Sequence, residues 1–293
     1  MQKINYFHCY GDSKVNFEEG TLSSLEPDEI LLKNIFCGVC TNDVNQYTGK
    51  GFVMPPLRFG HESLSIVVEV GEKAKECFGE YFCIGSIVST YDSDPGFSTY
   101  MKAKYWKCFR VPEINPKYIL EPVACAINGA LGIKDLGKIG IFGTGFMALI
   151  LAEFCKHYNL SYDVIGNNNH ATFKKLDLEI PIESSDKEYN SVFILNKNAK
   201  YNIAIGGNVV YYQSPKELTI NTDEAEFKAL TYHFPSPRSK NFFNAMSLSA
   251  EWISTGVLNP QWTKGFEFNN SQEAFESFLK RNQNEFKSYI ILP

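Results

Sequence analysis

The sequence lacks several features that would place it in a specialised class of protein. It has no run of lysine or arginine and a formal net charge of −5, which makes nucleic acid and anionic membranes poor candidate partners. Its most apolar run, residues 139–154, is shorter than a membrane span and contains glycines. It has no internal repeat and no low-complexity tract. These absences favour a soluble globular protein.

The bulk composition is that of an ordinary globular chain. The 293 residues are 44% hydrophobic and 21% charged, and the length allows one large or two ordinary domains. Residues 1–14 contain no apolar stretch of signal-peptide length, so we expect a cytoplasmic location. In that compartment the eight cysteines are expected to be buried thiols and a metal ligand rather than disulfides.

Hydrophobic patterning changes near residue 121. Short β-branched runs at residues 30–35, 64–70 and 87–90 predict a β-rich, barrel-like or sandwich-like first part. An alternation of apolar strands and helices follows and predicts a doubly wound α/β sheet. Its expected strands are 138–142, 162–165, 191–195 and 208–212, and its expected helices are 122–131, 149–157 and 241–255. The tail predicts a short segment at 266–268, a helix from about 272 to 282 and a strand at 288–292.

A glycine-rich turn follows the first apolar strand of the second part. In Gly143-x-Gly145-x-x-Ala148 the first glycine makes a tight turn, the second lets a pyrophosphate approach the backbone, and the small third residue lets helix and strand pack closely. A plain glycine-rich turn can match this pattern, but the strand before it and the helix after it favour a dinucleotide site. The candidate cofactor-binding residues are Gly143, Thr144, Gly145, Phe146, Met147, Asn167 and Asn168.

The end of the second strand indicates which dinucleotide binds. NAD sites carry an acid there for the ribose hydroxyls, whereas this strand ends in Gly166-Asn-Asn-Asn169 and Asp163 lies too early. No carboxylate stands where it would repel a 2′-phosphate, and the asparagines with Lys174 or Lys175 can bind one. We therefore favour NADP(H) over NAD(H), although an asparagine-rich stretch can also be only a loop.

A second group of residues has the chemistry of a metal site. Zinc takes thiolate, imidazole and carboxylate ligands, and a catalytic site uses three of them and leaves one position open. Cys40, His61 and one glutamate meet that need, and Asp43 can accept a hydrogen bond from the far nitrogen of His61. Alternatives stay open, because Cys37-Gly-Val-Cys40 is also the spacing of a structural zinc knuckle or a redox pair, and a single histidine is often only a core or surface residue.

These residues belong to a series of motifs that resembles one family along nearly the whole chain. The sequence resembles zinc-containing medium-chain dehydrogenases, in order, at Gly38-Val-Cys40-x-x-Asp43, Tyr47-Thr-Gly49, Gly60-His61-Glu62, Gly85-x-x-Val88, Gly96-Phe97-x-x-Tyr100, Glu121-Pro122 and Gly143-x-Gly145. The tail, with Glu273-Ala274-Phe275 and residues 287–292, resembles the C-terminus of that family. No single motif is decisive, but their joint order is specific.

The resemblance implies a fold and an activity. It implies a GroES-like catalytic domain at residues 1–122, completed by 262–293, and a Rossmann dinucleotide-binding domain at 123–261. It implies hydride transfer between NAD(P)H and an alcohol/carbonyl pair, and a homodimer. The glutamate at position 121 points to a polyol, sugar or sugar phosphate rather than a simple alcohol, and NADPH-dependent ribulose-5-phosphate reductases are one such group.

The resemblance also implies roles for individual side chains. Cys40 and His61 hold the catalytic zinc, and the third ligand is Glu62 or Glu121, because relatives that act on polyols carry acids at both positions. The implied catalytic residues are Cys40, Thr41, His61 and Glu62, and the implied metal ligands are Cys40, His61, Glu62 and Glu121.

The sequence departs from the family in four places, one of which is Ser86 in place of the usual acid beside Gly85. No cysteine lies between Val88 and Gly96, so the structural zinc lobe of many members is missing. Asn42 replaces the usual hydroxyl residue that passes on the substrate proton, so Thr41 or a water chain has to substitute for it. Residues 196–207 are short for the helix that normally joins two Rossmann strands. These departures keep two alternatives open, a zinc-free reductase of the same fold and a non-catalytic dinucleotide-binding relative.

Overall fold

The computed structural model describes residues 1–55, 58–196, 199–212, 220–280 and 285–293. In chain order the strands are β1 (Gln2–His8), β2 (Asn16–Leu22), β3 (Glu29–Gly38), β4 (Glu62–Val70), β5 (Ile87–Thr90), β6 (Tyr100–Lys104), β7 (Cys108–Arg110), β8 (Ile139–Phe142), β9 (Tyr162–Ile165), β10 (Glu188–Ile194), β11 (Asn202–Tyr211), β12 (Thr231–His233), β13 (Trp262–Glu267) and β14 (Lys287–Ile291). The helices are α1 (Thr41–Tyr47), α2 (Glu72–Phe78), α3 (Glu121–Leu131), α4 (Phe146–His157), α5 (His170–Lys175), α6 (Thr222–Phe227), α7 (Phe242–Ser254) and α8 (Ser271–Leu279). The chain divides into two compact units, one formed by Met1–Glu121, Gln261–Arg281 and Phe286–Pro293, and one formed mainly by Pro122–Pro260.

The first unit is built on a mostly antiparallel sheet with the strand order β13-β14-β3-β4-β5-β7, and β6 also pairs with β3. The buried side chains of β3, which include Ile30 and Leu32, pack with Val67 and Val88 from the neighbouring strands. The last strand, β14, pairs antiparallel with the end of β3. The C-terminal tail therefore contributes strands to the main sheet of the first unit.

The second unit contains a parallel sheet with the strand order β12-β11-β10-β8-β9. All four residues of β8 are buried, as expected for a strand that is covered on both faces. Helix α4 follows β8 directly and buries most of its side chains, among them Leu149 to Ala152. The sequence-based expectation of a doubly wound parallel sheet in this part of the chain describes these elements correctly.

Several predicted boundaries need correction. Strands β5 and β9 have the predicted limits, but β11 begins at Asn202 rather than at residue 208. The pairing of β11 with β10 jumps from Ile203 opposite Tyr189 to Asn208 opposite Ser191, so residues 204–207 form a bulge. The two glycines of that bulge interrupt the strand pattern in the sequence, so the first half of the strand was not predicted.

The short connection between β10 and β11 is an unusual feature of the second unit. No helix lies in its described residues, 195, 196 and 199–201, as the shortness of that segment in the sequence indicated. Tyr201 packs its ring 5.8 Å from that of Phe142, so side chains of the connection itself cover part of the sheet. The predicted end of the tail helix, near residue 282, lies outside the described residues.

Two surface properties complete the description of the fold. Within the described ranges, none of the helices has the length and hydropathy that a bilayer crossing requires. None of the eight cysteines, all of which lie in the described ranges, forms a disulfide, and Cys77 and Cys83 are exposed rather than buried as expected. Cys77 lies near the end of the short helix α2, and Cys83 follows the 3₁₀ turn after it, so neither belongs to a long periodic segment that could have indicated its exposure.

A buried carboxyl group of α4 makes the stability of the second unit depend on pH. Glu153 is 7% exposed and accepts a hydrogen bond of 3.0 Å from the backbone N–H of Asn259. Burial raises the pKa of Glu153 from 4.5 to about 7, and this effect exceeds the opposing effects of that hydrogen bond and of Lys156.

We predict that Glu153→Gln stabilises the protein at pH 8 but changes little at pH 5. The folded chain holds the proton more tightly than the unfolded chain, so the contribution of Glu153 to stability is complete below pH 4.5 and is lost as the pH rises through 7. The amide keeps the acceptor without the charge, and we expect a gain on the order of 2 kcal/mol at pH 8. Denaturant unfolding of both proteins at the two pH values measures the difference, and a gain that is the same at both would contradict this origin.

Candidate functional site

The pairing of β3 with β4 brings the predicted metal-binding residues together. Gly38, the last residue of β3, lies opposite Glu62, the first residue of β4. Cys40 stands just beyond the end of β3, and His61 just before the start of β4. Antiparallel pairing therefore places these two segments, which are distant in sequence, at the same end of the paired strands β3 and β4.

Ligand atoms of Cys40, His61 and Glu62 all lie within 4.8 Å of one another. Among the described residues, this is the group of three histidine, cysteine or acidic side chains close enough to share a metal ion. Cys40 and His61 are half-buried, and Glu62 is buried. The three therefore form a partly enclosed site that keeps access to solvent.

Asp43 fixes the geometry around Cys40 and His61. One of its carboxylate oxygens accepts a 2.8 Å hydrogen bond from the backbone N–H of Cys40, which caps the start of α1. The other oxygen lies 3.7 Å from Nδ1 of His61, an ion-pair distance longer than the hydrogen bond that the sequence suggested. Asp43 is thus placed to hold the imidazole in one orientation.

The charges of this cluster perturb its pKa values. Burial raises the pKa of Asp43 to about 6, against the opposing effects of His61 and of the Cys40 N–H. Burial lowers the pKa of His61, but Asp43 and Cys40 raise it by more, so the net pKa of His61 lies well above its usual value. Because a metal displaces the proton from a histidine ligand, a metal ion that bound at this cluster would release protons.

Glu62 has one oxygen engaged and one free of partners. Its Oε1 lies 2.7 Å from Nζ of Lys287, and the two side chains are 1% and 11% exposed. Burial lowers the pKa of Lys287, but the carboxylate of Glu62 and other nearby acids raise it, and the net pKa is raised. Oε2 of Glu62 is buried and makes no hydrogen bond within the described part of the chain.

Gly38 creates the space that Glu62 occupies. A β-carbon on Gly38 would collide with Oε2 of Glu62 and would press on the ring of Trp262. The family motif carries a glycine at this position, and the contact gives a physical reason for it: the buried carboxylate needs the space.

Other predicted catalytic or metal-binding residues lie outside this group of three. Glu121 is buried at the start of α3, and its charge acts on His61, but its carboxylate does not belong to the group within 4.8 Å. Thr41 and Asn42 are exposed in the first turn of α1. The structure therefore brings Glu62, rather than Glu121, together with Cys40 and His61.

The donor set suits a zinc ion. Thiolate, imidazole and carboxylate are all zinc ligands, and three of them leave the fourth position that a catalytic site needs. The unpartnered Oε2 of Glu62 gives independent support, because a buried carboxylate oxygen without a partner is costly unless a cation or a donor satisfies it. Cys40, His61 and Glu62 thus fit the metal that the family resemblance implies.

The glycine-rich turn of the second unit has the features of a phosphate-binding turn. Gly143 has a φ of +144°, and a β-carbon there would lie 2.9 Å from Cβ of Leu195. Gly145 is exposed, begins the twelve-residue helix α4, and has open space where a β-carbon would stand. Phe146 is buried and Met147 half-buried in the first turn of the helix. A phosphate can therefore approach Gly145 and the free N–H groups of α4 closely.

The loop after β9 explains why an acid is missing there. Gly166 has a φ of +153°, and a β-carbon on it would lie 2.7 Å from Cγ2 of Thr144. A side chain at this position is disfavoured both by the backbone conformation and by the contact. Asn167 is exposed and Asn168 half-buried, which leaves two amides near the end of the strand where an acid would otherwise bind ribose.

Three structurally important residues had no role in the sequence-based hypothesis. Lys287 forms an ion pair with the carboxylate of Glu62, and Gly38 leaves space for that carboxylate. Asn169 donates a hydrogen bond to the backbone oxygen of Thr144. The position of Lys287 at the start of the C-terminal strand was a sequence signal for a buried ion pair. Its partner depends on the pairing of β14 with β3, which the sequence pattern does not specify. Arg58, three residues before His61, contacts Asp94 at 3.3 Å.

Comparison with known proteins supports the family resemblance that the sequence motifs indicate. Residues 26–113 match the family model described as the alcohol dehydrogenase GroES-like domain. The chain is also similar to D-arabinitol dehydrogenase 1 of Uromyces fabae, with 25% identity over 189 residues, which is 56% of this chain and 53% of that protein. The matched domain and this similarity support the resemblance to the medium-chain dehydrogenase/reductase superfamily.

Solved structures of dehydrogenases have the same fold as this chain over its whole length. An oxidoreductase/dehydrogenase of unknown specificity from Escherichia coli has a TM-score of 0.84 and 18% identity, and the match covers 100% of both chains. A Sinorhizobium meliloti protein described as a zinc-binding dehydrogenase, bound to NADP, has a TM-score of 0.75 and 16% identity over 99% of this chain and 100% of its own. These similarities confirm the predicted α/β architecture of a GroES-like part and a Rossmann part.

The curated relatives are longer than the matched region. The chain spans about half the length of the curated relatives it matches, for example 53% of D-arabinitol dehydrogenase 1 and 49% of geissoschizine synthase from Alstonia scholaris.

Proposed function

We propose that this protein is a zinc-dependent oxidoreductase that transfers hydride between NADP(H) and an alcohol/carbonyl pair. The observation that carries the proposal is the convergence of Cys40, His61 and Glu62, whose ligand atoms lie within 4.8 Å of one another in the first unit. The glycine-rich turn at Gly143 and Gly145 in the second unit supports the dinucleotide part of the proposal. Each unit thus contributes one half of the chemistry.

The roles of the side chains follow from their contacts. Cys40, His61 and Glu62 hold the zinc, and Asp43 keeps the imidazole of His61 oriented. When bound, zinc supplies Lewis-acid stabilisation of negative charge on a substrate oxygen, and the dinucleotide supplies or accepts the hydride. Thr41 is exposed beside Cys40, and we propose that its hydroxyl, with solvent, takes over the proton transfer that Asn42 cannot perform.

The proposed substrate is a polyol, sugar or sugar phosphate. Two buried acids, Glu62 and Glu121, lie in or near the metal cluster, the pattern that the family resemblance associates with polyol-type substrates. Similarity to D-arabinitol dehydrogenase 1 supports the same class. Because Arg58 is paired with Asp94, its guanidinium gives no specific support to a phosphorylated substrate.

The proposed preference for NADP(H) rests on the loop after β9. Gly166 cannot readily be replaced by an acid, because its φ is +153° and Thr144 occupies the adjoining space. Lys174 and Lys175 are exposed in the last turn of α5, which follows this loop. Their positive charges are available to a 2′-phosphate, and no carboxylate of the loop opposes it.

We predict that the dissociation constant of NADPH is at least about tenfold lower than that of NADH. A ratio of about tenfold is the contribution expected from one charge-assisted hydrogen bond to the 2′-phosphate. The double variant Lys174→Gln/Lys175→Gln should reduce this ratio, because it weakens NADPH binding and leaves NADH binding unchanged. Titration of the fluorescence of each reduced dinucleotide gives the dissociation constants, and NADH serves as the internal control. Equal affinities for the two dinucleotides would contradict the preference.

A zinc-free reductase of the same fold is the second candidate function. It is favoured by the 2.7 Å contact between Oε1 of Glu62 and Lys287, which already neutralises one of the proposed ligands. Asn42, in place of the usual hydroxyl residue, favours a third candidate, a relative that binds a dinucleotide without turnover.

One experiment separates the three candidates. The purified protein is screened against polyols, sugars and sugar phosphates, with NADPH and with NADH, and its zinc content is measured on the same sample. Turnover that requires zinc supports the proposal, zinc-independent turnover supports the second candidate, and dinucleotide binding without turnover supports the third. The homodimer and the cytoplasmic location stay predictions.

A further inference from the structure

Asn169 connects the two loops of the second unit that flank the proposed dinucleotide site. It lies between β9 and α5 in a left-handed conformation, with φ 62° and ψ 15°, and is 5% exposed. Its side-chain Nδ2 donates a 2.7 Å hydrogen bond to the backbone oxygen of Thr144. The loop after β9 is thereby joined to the middle of the glycine-rich turn.

The same loop is held at its other end. The N–H of Gly166 donates a 2.8 Å hydrogen bond to the oxygen of Ile182. A β-carbon on Gly166 would lie 2.7 Å from the methyl group of Thr144, so the backbone of Gly166 is close to this side chain. Thr144 therefore has a neighbour at both ends of residues 166–169.

The hydrogen bond from Asn169 also sets the direction of the next peptide N–H. A trans peptide group is planar, so the oxygen of Thr144 and the N–H of Gly145 point in opposite directions within one rigid plane. Fixing the oxygen of Thr144 on Asn169 therefore fixes the N–H of Gly145, the residue that begins α4 and has open space around it. That N–H is one of the donors expected to meet a phosphate.

Stability alone does not explain an asparagine at this position. Glycine adopts the left-handed conformation without cost, whereas Oδ1 of Asn169 is buried and has no hydrogen-bond partner in the described ranges, which is unfavourable. We propose that Asn169 is a positioning residue that holds the peptide between Thr144 and Gly145 in the orientation that binds the pyrophosphate. The inference rests on the proposed binding of a dinucleotide at this turn.

The test replaces Asn169 by glycine, which keeps the left-handed backbone and removes the amide. Asn159→Gly is a matched control, because Asn159 has a φ of 52° and lies beyond the opposite end of α4 in the same unit. Dissociation constants for NADPH and NADH are measured by fluorescence titration, alongside thermal unfolding and zinc content. These readouts do not depend on turnover.

We expect Asn169→Gly to weaken both dinucleotides by about tenfold and by the same factor, because the pyrophosphate is common to both. Asn159→Gly should leave both dissociation constants unchanged, and zinc content should be unchanged in both variants. Asn169→Asp, which keeps the side-chain size but loses the donor, should weaken binding at least as much. It replaces the glycine variant if that protein does not fold.

Three outcomes would contradict the proposal, and each has a different meaning. Wild-type affinity in Asn169→Gly or Asn169→Asp would overturn the positioning role and leave the proposed function intact. A wild-type protein that binds neither NADPH nor NADH would overturn the proposed function, and the positioning role with it. A loss of affinity that is equal in Asn169→Gly and Asn159→Gly would show a general effect of glycine and would also overturn the positioning role.

Discussion

Replacing Cys40 by alanine is expected to remove bound zinc and turnover together. The variant leaves two of the three proposed ligands that converge at the end of β3 and the start of β4, and two protein ligands do not form the three-ligand set of a catalytic zinc site. We expect the rate of turnover to fall on the order of a thousandfold or more, because the Lewis acid is expected to stabilise the transition state by several kcal/mol. Elemental analysis and steady-state kinetics on the same preparation measure both effects.

Cys77→Ala provides the matched control for this variant. Cys77 is an exposed, free thiol in α2 of the same unit and does not belong to the cluster of three. We expect it to keep zinc and turnover. A Cys40→Ala protein that is free of zinc and retains the wild-type rate would contradict the proposed mechanism and would favour the zinc-free reductase.

Separating Glu62 from Lys287 is expected to have the largest effect on stability. Each partner is buried, so in the metal-free protein Glu62→Gln leaves a buried ammonium unpaired and Lys287→Met leaves a buried carboxylate unpaired. Each single variant should lose about 3 kcal/mol of unfolding free energy. The double variant should lose about 1 kcal/mol or less, because no unpaired charge remains. Denaturant unfolding of the four proteins, treated as a double-mutant cycle, gives the coupling between the two residues.

The same four proteins also identify the third metal ligand. Lys287→Met retains Glu62 and should therefore retain zinc, whereas the double variant should bind zinc at least about tenfold more weakly although its stability has recovered. Competition with a chromogenic chelator measures the affinity. If the double variant binds zinc as the wild-type protein does, Glu62 is not a ligand, and Glu121→Gln becomes the variant to examine.

The sequence predicted the fold best where hydrophobic periodicity is uninterrupted. Strands β5 and β9 and helix α3 are short segments between turn signals, and their limits were close to those of the structure. Strand β1, whose last three residues are all buried, was not predicted. The first half of β11 was missed because a bulge with two glycines separates it from the apolar second half.

The sequence predicted those residues of the candidate site whose chemical role can be recognised from a single motif or residue type. Cys40, His61 and Glu62 have the side chains that zinc requires, and their motifs stood in the family order. The choice between Glu62 and Glu121 was not predictable, because it depends on the pairing of Gly38 with Glu62 across two strands. Lys287 was missed for the same reason, since a contact over such a distance in sequence is set by strand register.

Asn169 shows a further limit of sequence-based reasoning. Its left-handed backbone and its bond to Thr144 depend on where the loop after β9 meets the glycine-rich turn. The sequence presents it only as the last of three successive asparagines. Nothing in residue type separates it from Asn167 and Asn168, which were the ones predicted to contact the cofactor.

X-ray absorption at the zinc edge of the purified protein tests most directly whether Cys40, His61 and Glu62 hold one zinc ion. The expected spectrum contains one sulfur scatterer at about 2.3 Å and nitrogen or oxygen scatterers at about 2.0–2.2 Å, and the sulfur contribution disappears in Cys40→Ala together with the metal. A protein without stoichiometric zinc, or zinc surrounded by no sulfur or by several sulfurs, would contradict the proposed metal centre.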